Sequence, residues 1–518
     1  MLKSSASFRG WSSALVVAAG LLQGCALSAS FAYTNTARTP ASPLLPQASF
    51  EIRQRPVKQQ QNVLVLLALS GGGSRAAYFS ARAMLALERV PSPQGGTINA
   101  LREVDLVSAV SGGSLAAAYY ASTFDAGMPG IPAGRRVWDQ PTVTDVMGRN
   151  YLARWIGNWF WPANIAKFWL TAYDRTDIMA QTFADNLFDS TATGVDLRFQ
   201  DLNPSRPNLV LNATVGNRTY RAADPSRAIT FGSVFTFTSE DFAEKISSDL
   251  AGYEVARAVM ASATFPAVFN YMTLRDFHEP GGCGDAGEPC YVHLFDGGNF
   301  DNLGLTSIKR ALLSNHARVV SQHERIVVIL VDAFRPSAGV DPRAANPRTP
   351  LSYFIDTDFL DATDSLLEAN RQRILDEFFS RTMGAYERPQ ECWRDSLPDH
   401  ACPAMWELAE RRRVDAELRD KTFFFQVAFD AVTDEGVRAR LNAIPTTFRL
   451  DAGEMEAIEQ GVADIFGDST SDAHACVRRL GEMLAAPGAS SPVIPGNPWY
   501  GGGSQPEKEK RQQLRQAR

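Results

Sequence analysis

Ser111 has the surroundings of a serine nucleophile. It lies in the segment AVSGG, residues 109–113, directly after the apolar run Leu106–Val110 and before an alanine-rich stretch. A strand–turn–helix junction of this kind exposes the serine hydroxyl above the edge of a sheet, and G-x-S-x-G is its usual pattern, here with alanine for the first glycine. A small-residue turn without chemistry is the alternative. The nearby Ser108 and Ser114 are predicted to lie inside the strand and inside the helix.

Three consecutive glycines precede another predicted helix. The segment SGGGSR, residues 70–75, follows the apolar run Val63–Leu69. The N–H groups of consecutive glycines can face one point without side chains in the way, and a helix N-terminus favours negative charge there. Phosphate and an oxyanion are both candidate ligands, and a plain turn is the alternative. Dinucleotide binding is disfavoured because Ala76 interrupts the G-x-G-x-x-G pattern, and the Walker lysine is missing.

An aspartate stands at the end of a third apolar strand. Asp296 lies in the segment HLFDGGNFDN, residues 293–302. Ligands of open α/β sheets gather where strands end. The carboxylate of Asp296 is therefore expected on a loop at the end of a strand, where ligands gather. A capping or turn aspartate is the structural alternative.

These three segments, in this order, resemble the patatin-like phospholipase family. The helix that ends in Ser262-Ala-Thr-Phe-Pro266 and the segment Asp301-Asn302-Leu303 are similar to the family's sequences as well. The resemblance extends over residues 62–125 and 205–335. It implies a Ser–Asp dyad that forms an acyl-enzyme. We expect no cofactor and no metal. The site residues that the resemblance implies are the nucleophile Ser111, the base Asp296, and an oxyanion hole of the Gly71, Gly72 and Gly73 amides supported by Arg75.

The resemblance implies a hydrolase that cleaves acyl esters of lipids, of the phospholipase A or lysophospholipase type. Acyl transfer stays open, because an acyl-enzyme can react with an alcohol instead of water. A second hypothesis is a non-catalytic, lipid-binding lipoprotein of the envelope. A third is an esterase of the α/β-hydrolase type with a Ser-His-Asp triad. His293 comes three residues before Asp296, so strand alternation predicts that it points to the other face of the sheet.

The first residues resemble the signal sequence of a bacterial lipoprotein. Two basic residues precede the apolar stretch 11–22, which is too short to span a bilayer comfortably. The segment LQGC then predicts a cleaved signal peptide over 1–24, an acylated Cys25 and a tether over 25–60. We expect a lipid-anchored protein of the cell envelope, at the outer membrane and facing the periplasm or the cell surface. A plain secretory signal with a chance cysteine is the alternative.

Apolar runs of strand length alternate with helix-like segments along the chain. Continuous apolar runs are typical of parallel strands that are buried on both faces. The sequence therefore predicts an α/β fold of the patatin-like, three-layer type, with a mostly parallel central sheet and helices on both faces. The predicted strands are Val63–Leu69, Leu106–Val110, Leu209–Val215, Tyr291–Phe295, Ile326–Val331 and Phe423–Phe429.

The predicted domain organisation has one catalytic unit. Its core extends over 61–335 and contains an aromatic insertion at about 130–205. Residues 336–500 form the C-terminal part of the same domain with a helical extension, and residues 501–518 form a disordered tail. The insertion contains six aromatic residues between positions 155 and 169. Tryptophan at this density suits a membrane interface or an acyl-chain channel, and core under a lid is the alternative.

Charge and cysteine usage exclude other classes of function. A formal net charge of −6 gives no reason to expect nucleic acid as a partner. No two cysteines have the spacing of a zinc site. In an exported chain we expect local disulfides, Cys283 with Cys290 and Cys392 with Cys402, with Cys476 unpaired. The five cysteines after Cys25 also permit other pairings.

Overall fold

The structure, a computed structural model, describes residues 32–42, 44–217, 229–266, 268–278, 289–335, 366–375, 377–378, 417–418, 421–467 and 474–485. Within these residues an eight-stranded sheet forms the centre of the fold. Its strands are β1 Val63–Leu69, β2 Leu106–Val110, β3 Asn208–Val215, β4 Val234–Phe237, β5 Met272–Asp276, β6 Cys290–Asp296, β7 Arg325–Asp332 and β8 Thr422–Ala428.

Most of the sheet is parallel. The strands β3, β2, β1, β7 and β8 are neighbours in this order and run parallel. At the other end of the sheet β6 pairs antiparallel with β3, β5 with β6, and β4 with β3. The predicted, mostly parallel α/β sheet is therefore confirmed. The pattern did not predict β4 and β5, because β4 has only four residues and β5 ends in the charged pair Arg275–Asp276.

Helices lie on both faces of the sheet. They are α1 Gly73–Leu87, α2 Ala100–Glu103, α3 Gly112–Ser122, α4 Gln140–Met147, α5 Tyr151–Trp159, α6 Pro162–Leu170, α7 Arg175–Phe183, α8 Ser239–Ile246, α9 Val255–Ser262, α10 Gly298–Asp301, α11 Leu305–Ser314, α12 His316–Gln322, α13 Glu435–Ala443, α14 Ala452–Phe466 and α15 Ala475–Leu484. Residues 366–375 are helical as well. Two-residue strands, 3-10 turns and one π-helical turn, Ala184–Phe188, complete the described elements.

The strand β1 explains why the central sequence is continuously apolar. All seven of its residues are at most 1% exposed. Val65 and Leu67 pack with α1 and α3 in one core, whereas Leu64 and Leu66 pack with α11 in a second core on the other face. Both faces of the strand need apolar side chains for this reason. The predicted three-layer arrangement is confirmed.

The C-terminal third contributes to the sheet and to the core. β8 pairs with β7 along its whole length, close to the strand predicted over 423–429. α14 packs on α1 and buries Ala457 and Ile458 in the same core as β1. This part of the chain thus supplies the last parallel strand, close to the one that was predicted, together with helices that pack on the core.

Residues 32–42 and 44–60 pack on the rest of the fold and do not form the predicted tether. Phe50 is buried, and Lys58 forms a buried ion pair with Asp105. The tether prediction over 25–60 is wrong for these residues. Their Ser-, Pro- and Gln-rich composition resembles that of a linker. The few apolar and basic side chains among them nevertheless contact the rest of the fold, and composition alone does not predict such contacts.

Several predictions fall outside the described residues. These include the signal peptide, Cys25, the tail 501–518, and Cys283, Cys392 and Cys402. Cys290 is disulfide-bonded, and Cys476 is a half-buried thiol. In the described part of the chain no helix has the length and apolarity needed to cross a membrane.

Candidate active site

The ends of two strands meet on one edge of β3. Residues 211–212 of β3 pair with β2 and with β4, and residues 213–214 pair with β4 and with β6. A strand has only two edges, so β2 and β6 share one edge of β3 and β4 has the other. Val110, the last residue of β2, pairs with Asn212, and Asp296, the last residue of β6, pairs with Ala213. The topology therefore brings Ser111 next to Asp296.

Ser111 has a strained backbone. Its φ is 49° and its ψ is −121°, a combination that costs a non-glycine residue about 1–3 kcal/mol. The Ser111 N–H donates to Oγ of Ser262 at 3.0 Å, and the Ser262 hydroxyl donates to the carbonyl oxygen of Asn212 at 2.6 Å. Ser262 thus ties the elbow to β3 and holds the strained turn in place.

The carboxylate of Asp296 contacts the serine directly. The Ser111 hydroxyl donates to Oδ2 of Asp296 at 2.8 Å, and the N–H of Gly298 donates to Oδ1 at 2.8 Å. Asp296 is 4% exposed. Burial raises the pKa of Asp296 to about 6, while the hydrogen bonds from Gly298 and Ser111 lower it. The result is a carboxylate with a pKa close to neutral and in contact with a hydroxyl, which is what a general base requires.

The glycine loop packs tightly against the serine. A Cβ atom on Gly71 would lie 3.1 Å from Cβ of Ser111 and 2.2 Å from Oδ1 of Asn302. The Gly71 N–H donates to the carbonyl oxygen of Asn302 at 3.0 Å. The structure therefore modifies the prediction for Gly71, because its amide holds the loop in position and is not available to an oxyanion.

The remaining amides next to the serine are candidates for an oxyanion hole. Neither Gly72 nor Gly73 has a backbone hydrogen-bond partner for its N–H among the described residues. Gly112, the first residue of α3, lies against the loop, because a Cβ on it would be 2.0 Å from the carbonyl oxygen of Gly73. The first N–H groups of a helix have no partner within the helix. Gly112 is therefore a third candidate donor that the sequence did not single out.

Arg75 positions the glycine loop. It is 4% exposed. Its Nε donates to the carbonyl oxygen of Ala333 at 3.1 Å, and its Nη1 donates to that of Ile444 at 2.6 Å. The guanidinium group thus ties the start of α1 to the end of β7 and to the C-terminal part of the chain. In this arrangement Arg75 supports the loop through backbone carbonyl groups.

Three neighbours of the dyad were not among the predicted site residues. Ser262 holds the elbow, and Asn302 holds Gly71 and lies against Gly298. Both stand in segments similar to those of the family, which was the only signal for them in the sequence. The third is Thr447, whose carbonyl oxygen accepts the Ser74 N–H at 2.8 Å. No sequence signal could have found Thr447, because it contacts the loop only through its backbone.

The other serines near Ser111 are structural. Ser108 lies in β2, as predicted, and donates to the carbonyl oxygen of Gly304 at 2.7 Å. Ser114 lies in α3, also as predicted, with its Oγ 2.9 Å from Oγ of Ser262.

The described histidines have their partners away from the dyad. In β6 buried and half-exposed residues alternate, so His293 and Asp296 point to opposite faces. Nδ1 of His293 lies 3.0 Å from Oγ1 of Thr273, and burial lowers the pKa of His293 to about 4. His278 pairs with Asp276 and His316 with Glu417. No described histidine is hydrogen-bonded to Ser111 or Asp296, and His400 lies outside the described residues.

Among the described residues no group of three or more His, Cys, Asp or Glu side chains is arranged to hold a metal ion. The polar groups around Ser111 are instead backbone amides, hydroxyls and one carboxylate. This donor set can activate a hydroxyl and stabilise an oxyanion.

Comparison with known families finds a match to the part of the chain that contains the candidate site. The family model of patatin-like phospholipases matches residues 67–308, which contain the glycine loop, Ser111 and Asp296. The resemblance noted in the sequence is therefore confirmed for this segment. The match supports lipid acyl hydrolase activity in the broad sense.

Two solved structures with distant similarity complete the comparison. VipD from Legionella pneumophila is 13% identical over 82% of this chain and 67% of its own, with a TM-score of 0.27. Human GIVD cytosolic phospholipase A2 is 10% identical over 83% of this chain and 64% of its own, with a TM-score of 0.40. The chain thus spans about two thirds of the length of these proteins. No curated protein matches it, so the family model carries the assignment.

Proposed function

We propose that the protein hydrolyses acyl esters of lipids, as a phospholipase A or lysophospholipase, through a dyad of Ser111 and Asp296. The observation that carries the proposal is the 2.8 Å hydrogen bond from the Ser111 hydroxyl to Asp296 at the strained elbow. A non-catalytic lipid-binding protein has no use for a strained serine beside a buried carboxylate. Because both features cost stability, their combination favours catalysis.

Acylation begins with proton transfer. Asp296 accepts the hydroxyl proton of Ser111 while Oγ attacks the carbonyl carbon of the ester. The carbonyl oxygen becomes an oxyanion, for which the Gly72, Gly73 and Gly112 amides are the candidate donors, each worth roughly 3–4 kcal/mol. Collapse breaks the bond between the acyl carbon and the alcohol oxygen. The protonated Asp296 then gives its proton to that oxygen, so the alcohol leaves and the acyl-enzyme remains.

Deacylation repeats the sequence with water. Asp296 accepts a proton from the water whose oxygen attacks the acyl carbon. When the second tetrahedral intermediate collapses, the carboxyl group returns the proton to Oγ of Ser111 and the fatty acid leaves. An alcohol in place of water would give acyl transfer by the same steps.

A labelling experiment tests this function. We expect the wild-type protein to react with a fluorophosphonate probe and to release fatty acid from phospholipid or lysophospholipid, and Ser111→Ala to do neither. Ser80→Ala is the matched control, because Ser80 is buried in α1 and its hydroxyl has no hydrogen-bond partner among the described residues. A folded wild-type protein that the probe does not label would overturn the proposal and favour the non-catalytic lipid-binding alternative.

We also infer that Cys25 carries a lipid and anchors the protein in the cell envelope, at the outer membrane. The charged start, short apolar stretch and Gly24–Cys25 junction support this inference. Metabolic labelling with a palmitate analogue and fractionation of membranes test it. Labelling that persists in Cys25→Ser would contradict the anchor, and a wild-type protein free of label would favour a plain secretory signal.

A further inference from the structure

The helices α5 and α6 form a pair with an unusually apolar outer surface, which we call the aromatic hairpin (residues 151–170). Six of the thirteen exposed large hydrophobic side chains in the described part of the chain belong to it. Phe160, Trp161 and Trp169 are 72%, 65% and 71% exposed. Each helix buries only one residue.

The exposed side chains follow the helical repeat. Ile165 and Trp169 are four residues apart and so share one side of α6, and Trp161 directly precedes this helix at the same spacing. Ile156 lies on α5, and Phe160 follows it at the same spacing, directly after the helix ends. The outer surface of the hairpin thus presents apolar side chains from both helices and from the turn between them. Apolar side chains at this spacing on a surface helix normally face a core.

Internal contacts fix the conformation of the aromatic hairpin. The Trp155 and Trp159 rings lie 5.4 Å apart, and the Trp159 and Phe168 rings 5.6 Å apart. The Asn164 side chain donates to the carbonyl oxygen of Asn158 at 2.9 Å and so ties the two helices together. The exposed rings therefore belong to an ordered, packed element whose outer face has no partner among the described residues.

The hairpin is connected to the glycine loop of the active site. The Trp155 ring packs on Phe269 at 5.3 Å, and Phe269 packs on Phe448 at 5.3 Å. The Leu152 N–H donates to the carbonyl oxygen of Phe448 at 3.0 Å. The residue before Phe448 is Thr447, whose carbonyl oxygen accepts the Ser74 N–H. Two ring contacts thus separate the hairpin from the loop beside Ser111.

The charge of the hairpin indicates its partner. Residues 150–173 contain no Asp or Glu, while Arg154 and Lys167 are exposed. Tryptophan, phenylalanine and basic side chains on one short helical element are typical of segments that lie in the interface of a bilayer. Anionic lipid headgroups would attract the two cations.

We propose that the aromatic hairpin docks the enzyme on the surface of a lipid bilayer, with Phe160, Trp161 and Trp169 in the interface. This inference rests on the proposed function: docking would serve lipid hydrolysis, because an acyl ester must leave a lipid surface to reach Ser111. The docked face then brings the active site to the layer that contains the substrate.

Vesicle binding tests the docking separately from catalysis. The protein is the full chain with Cys25→Ser, so that no lipid anchor contributes. The vesicles contain ether-linked phosphatidylcholine and phosphatidylglycerol at about 7:3. These lipids have no acyl ester that the enzyme could hydrolyse. We expect the triple variant Phe160→Ser/Trp161→Ser/Trp169→Ser to bind at least about tenfold more weakly than its parent. Val195→Ser/Leu313→Ser, which removes two exposed apolar side chains outside the hairpin, should bind like the parent.

A second measurement connects docking to activity. Hydrolysis rates are measured on ester-linked vesicles and on a soluble aryl ester. The rate on vesicles divided by the rate on the soluble ester should fall at least about tenfold in the triple variant and stay unchanged in the control. Ser111→Ala should still bind vesicles, so failure of the proposed hydrolysis would leave the binding result interpretable. Equal vesicle binding by the parent and the triple variant would overturn the docking proposal. That result is expected if the exposed face of the aromatic hairpin binds a protein partner instead of a bilayer. If circular dichroism shows that the triple variant does not fold, the single variant Trp169→Ser takes its place in the same two measurements.

Discussion

Asp296 is a buried carboxylate whose hydrogen bonds come from neutral donors. The Ser111 hydroxyl and the Gly298 N–H are its side-chain partners, and no cation is among them in the described residues. Without a compensating cation, burial disfavours the charged form, and the pKa rises to about 6. A base of this pKa is mostly ionised at neutral pH and still binds a proton readily during catalysis.

The pH profile should report this group. A general base works in its deprotonated form, so we expect kcat/KM to rise with pH through the pKa of about 6 and to level off above it. Below it, kcat/KM should fall about tenfold per pH unit. The measurement is initial rates on a soluble aryl ester between acid and neutral pH. A profile that stays flat well below the pKa would show that Asp296 is not the base.

The same burial costs stability. Since the folded-state pKa of Asp296 is about 6 and its ordinary value is 3.8, the folded protein binds the proton more tightly. Stability therefore falls as pH rises between these two values. Asp296→Asn should stabilise the protein at pH above about 7 by up to about 3 kcal/mol. The gain should disappear near the ordinary pKa. Urea unfolding at both pH values measures it, and an equal or lower stability of the variant at neutral pH would contradict the cause given for the pKa.

At this scale the sequence predicted part of the site. Ser111 and Asp296 were predictable because each follows an apolar strand and stands beside glycines. The hydrogen bonds of Gly71 to Asn302 and of Ser111 to Ser262 were not, because they join residues far apart in the chain. Sequence spacing alone cannot show which of several glycine N–H groups already donates a hydrogen bond within the protein.

The turn between β2 and α3 depends on close contact with the glycine loop. A Cβ on Gly112 would lie 2.0 Å from the carbonyl oxygen of Gly73, and one on Gly113 would lie 2.7 Å from that of Ser70. Both obstacles are backbone atoms, which cannot rotate away as the end of a side chain can. The two elements that form the site therefore approach as closely as glycine allows.

Gly112→Ala should separate these elements. We expect kcat/KM on a soluble ester to fall at least about a hundredfold, and the free energy of unfolding to drop by about 1–3 kcal/mol, because overpacking forces the backbone apart. Gly157→Ala is the matched control: Gly157 lies in a helix and its added Cβ meets nothing within 4 Å. That variant should gain up to about 1 kcal/mol of stability. Equal effects of the two substitutions would show that the close approach is unimportant.

At the scale of elements the long strands were predictable and the short antiparallel ones were not. The run Val63–Leu69 has the observed bounds of β1, and the run Leu106–Val110 those of β2. β5 lies beside β6 at one end of the sheet and mixes apolar with charged residues, and β4 is too short for a periodic signal. The helix after the glycines begins at Gly73, so the last glycine of the loop already lies in the helix.

The N-terminal segment stabilises the whole molecule. Lys58 donates to the carboxylate of Asp105 and to the carbonyl oxygen of Val63, and the Asp105 carboxylate also accepts the Val65 N–H at 2.8 Å. Both charged side chains are at most 5% exposed. This buried pair connects residues before the sheet to the first two strands, which a linker composition did not predict.

Removing Lys58 should leave a buried carboxylate without its cation. We expect Lys58→Ala to lower the free energy of unfolding by about 3–5 kcal/mol. Arg102→Ala is the control, since its ion pair with Asp125 is largely exposed and should contribute less than about 1 kcal/mol. Urea unfolding of the full chain compares them. A loss at Lys58 no larger than at Arg102 would show that the buried pair stabilises the fold no more than an exposed one does.

The central claim is that Ser111 and Asp296 act together in one proton transfer. The most direct test is a double-mutant comparison of kcat on a short-chain aryl ester and on a phospholipid, with folding checked by circular dichroism. We predict that Ser111→Ala and Asp296→Asn each lower kcat at least about a thousandfold, and that the double variant is little worse than either. Any single histidine variant should lose less than about tenfold. Additive losses at Ser111 and Asp296, or a folded histidine variant as inactive as Ser111→Ala, would contradict the dyad.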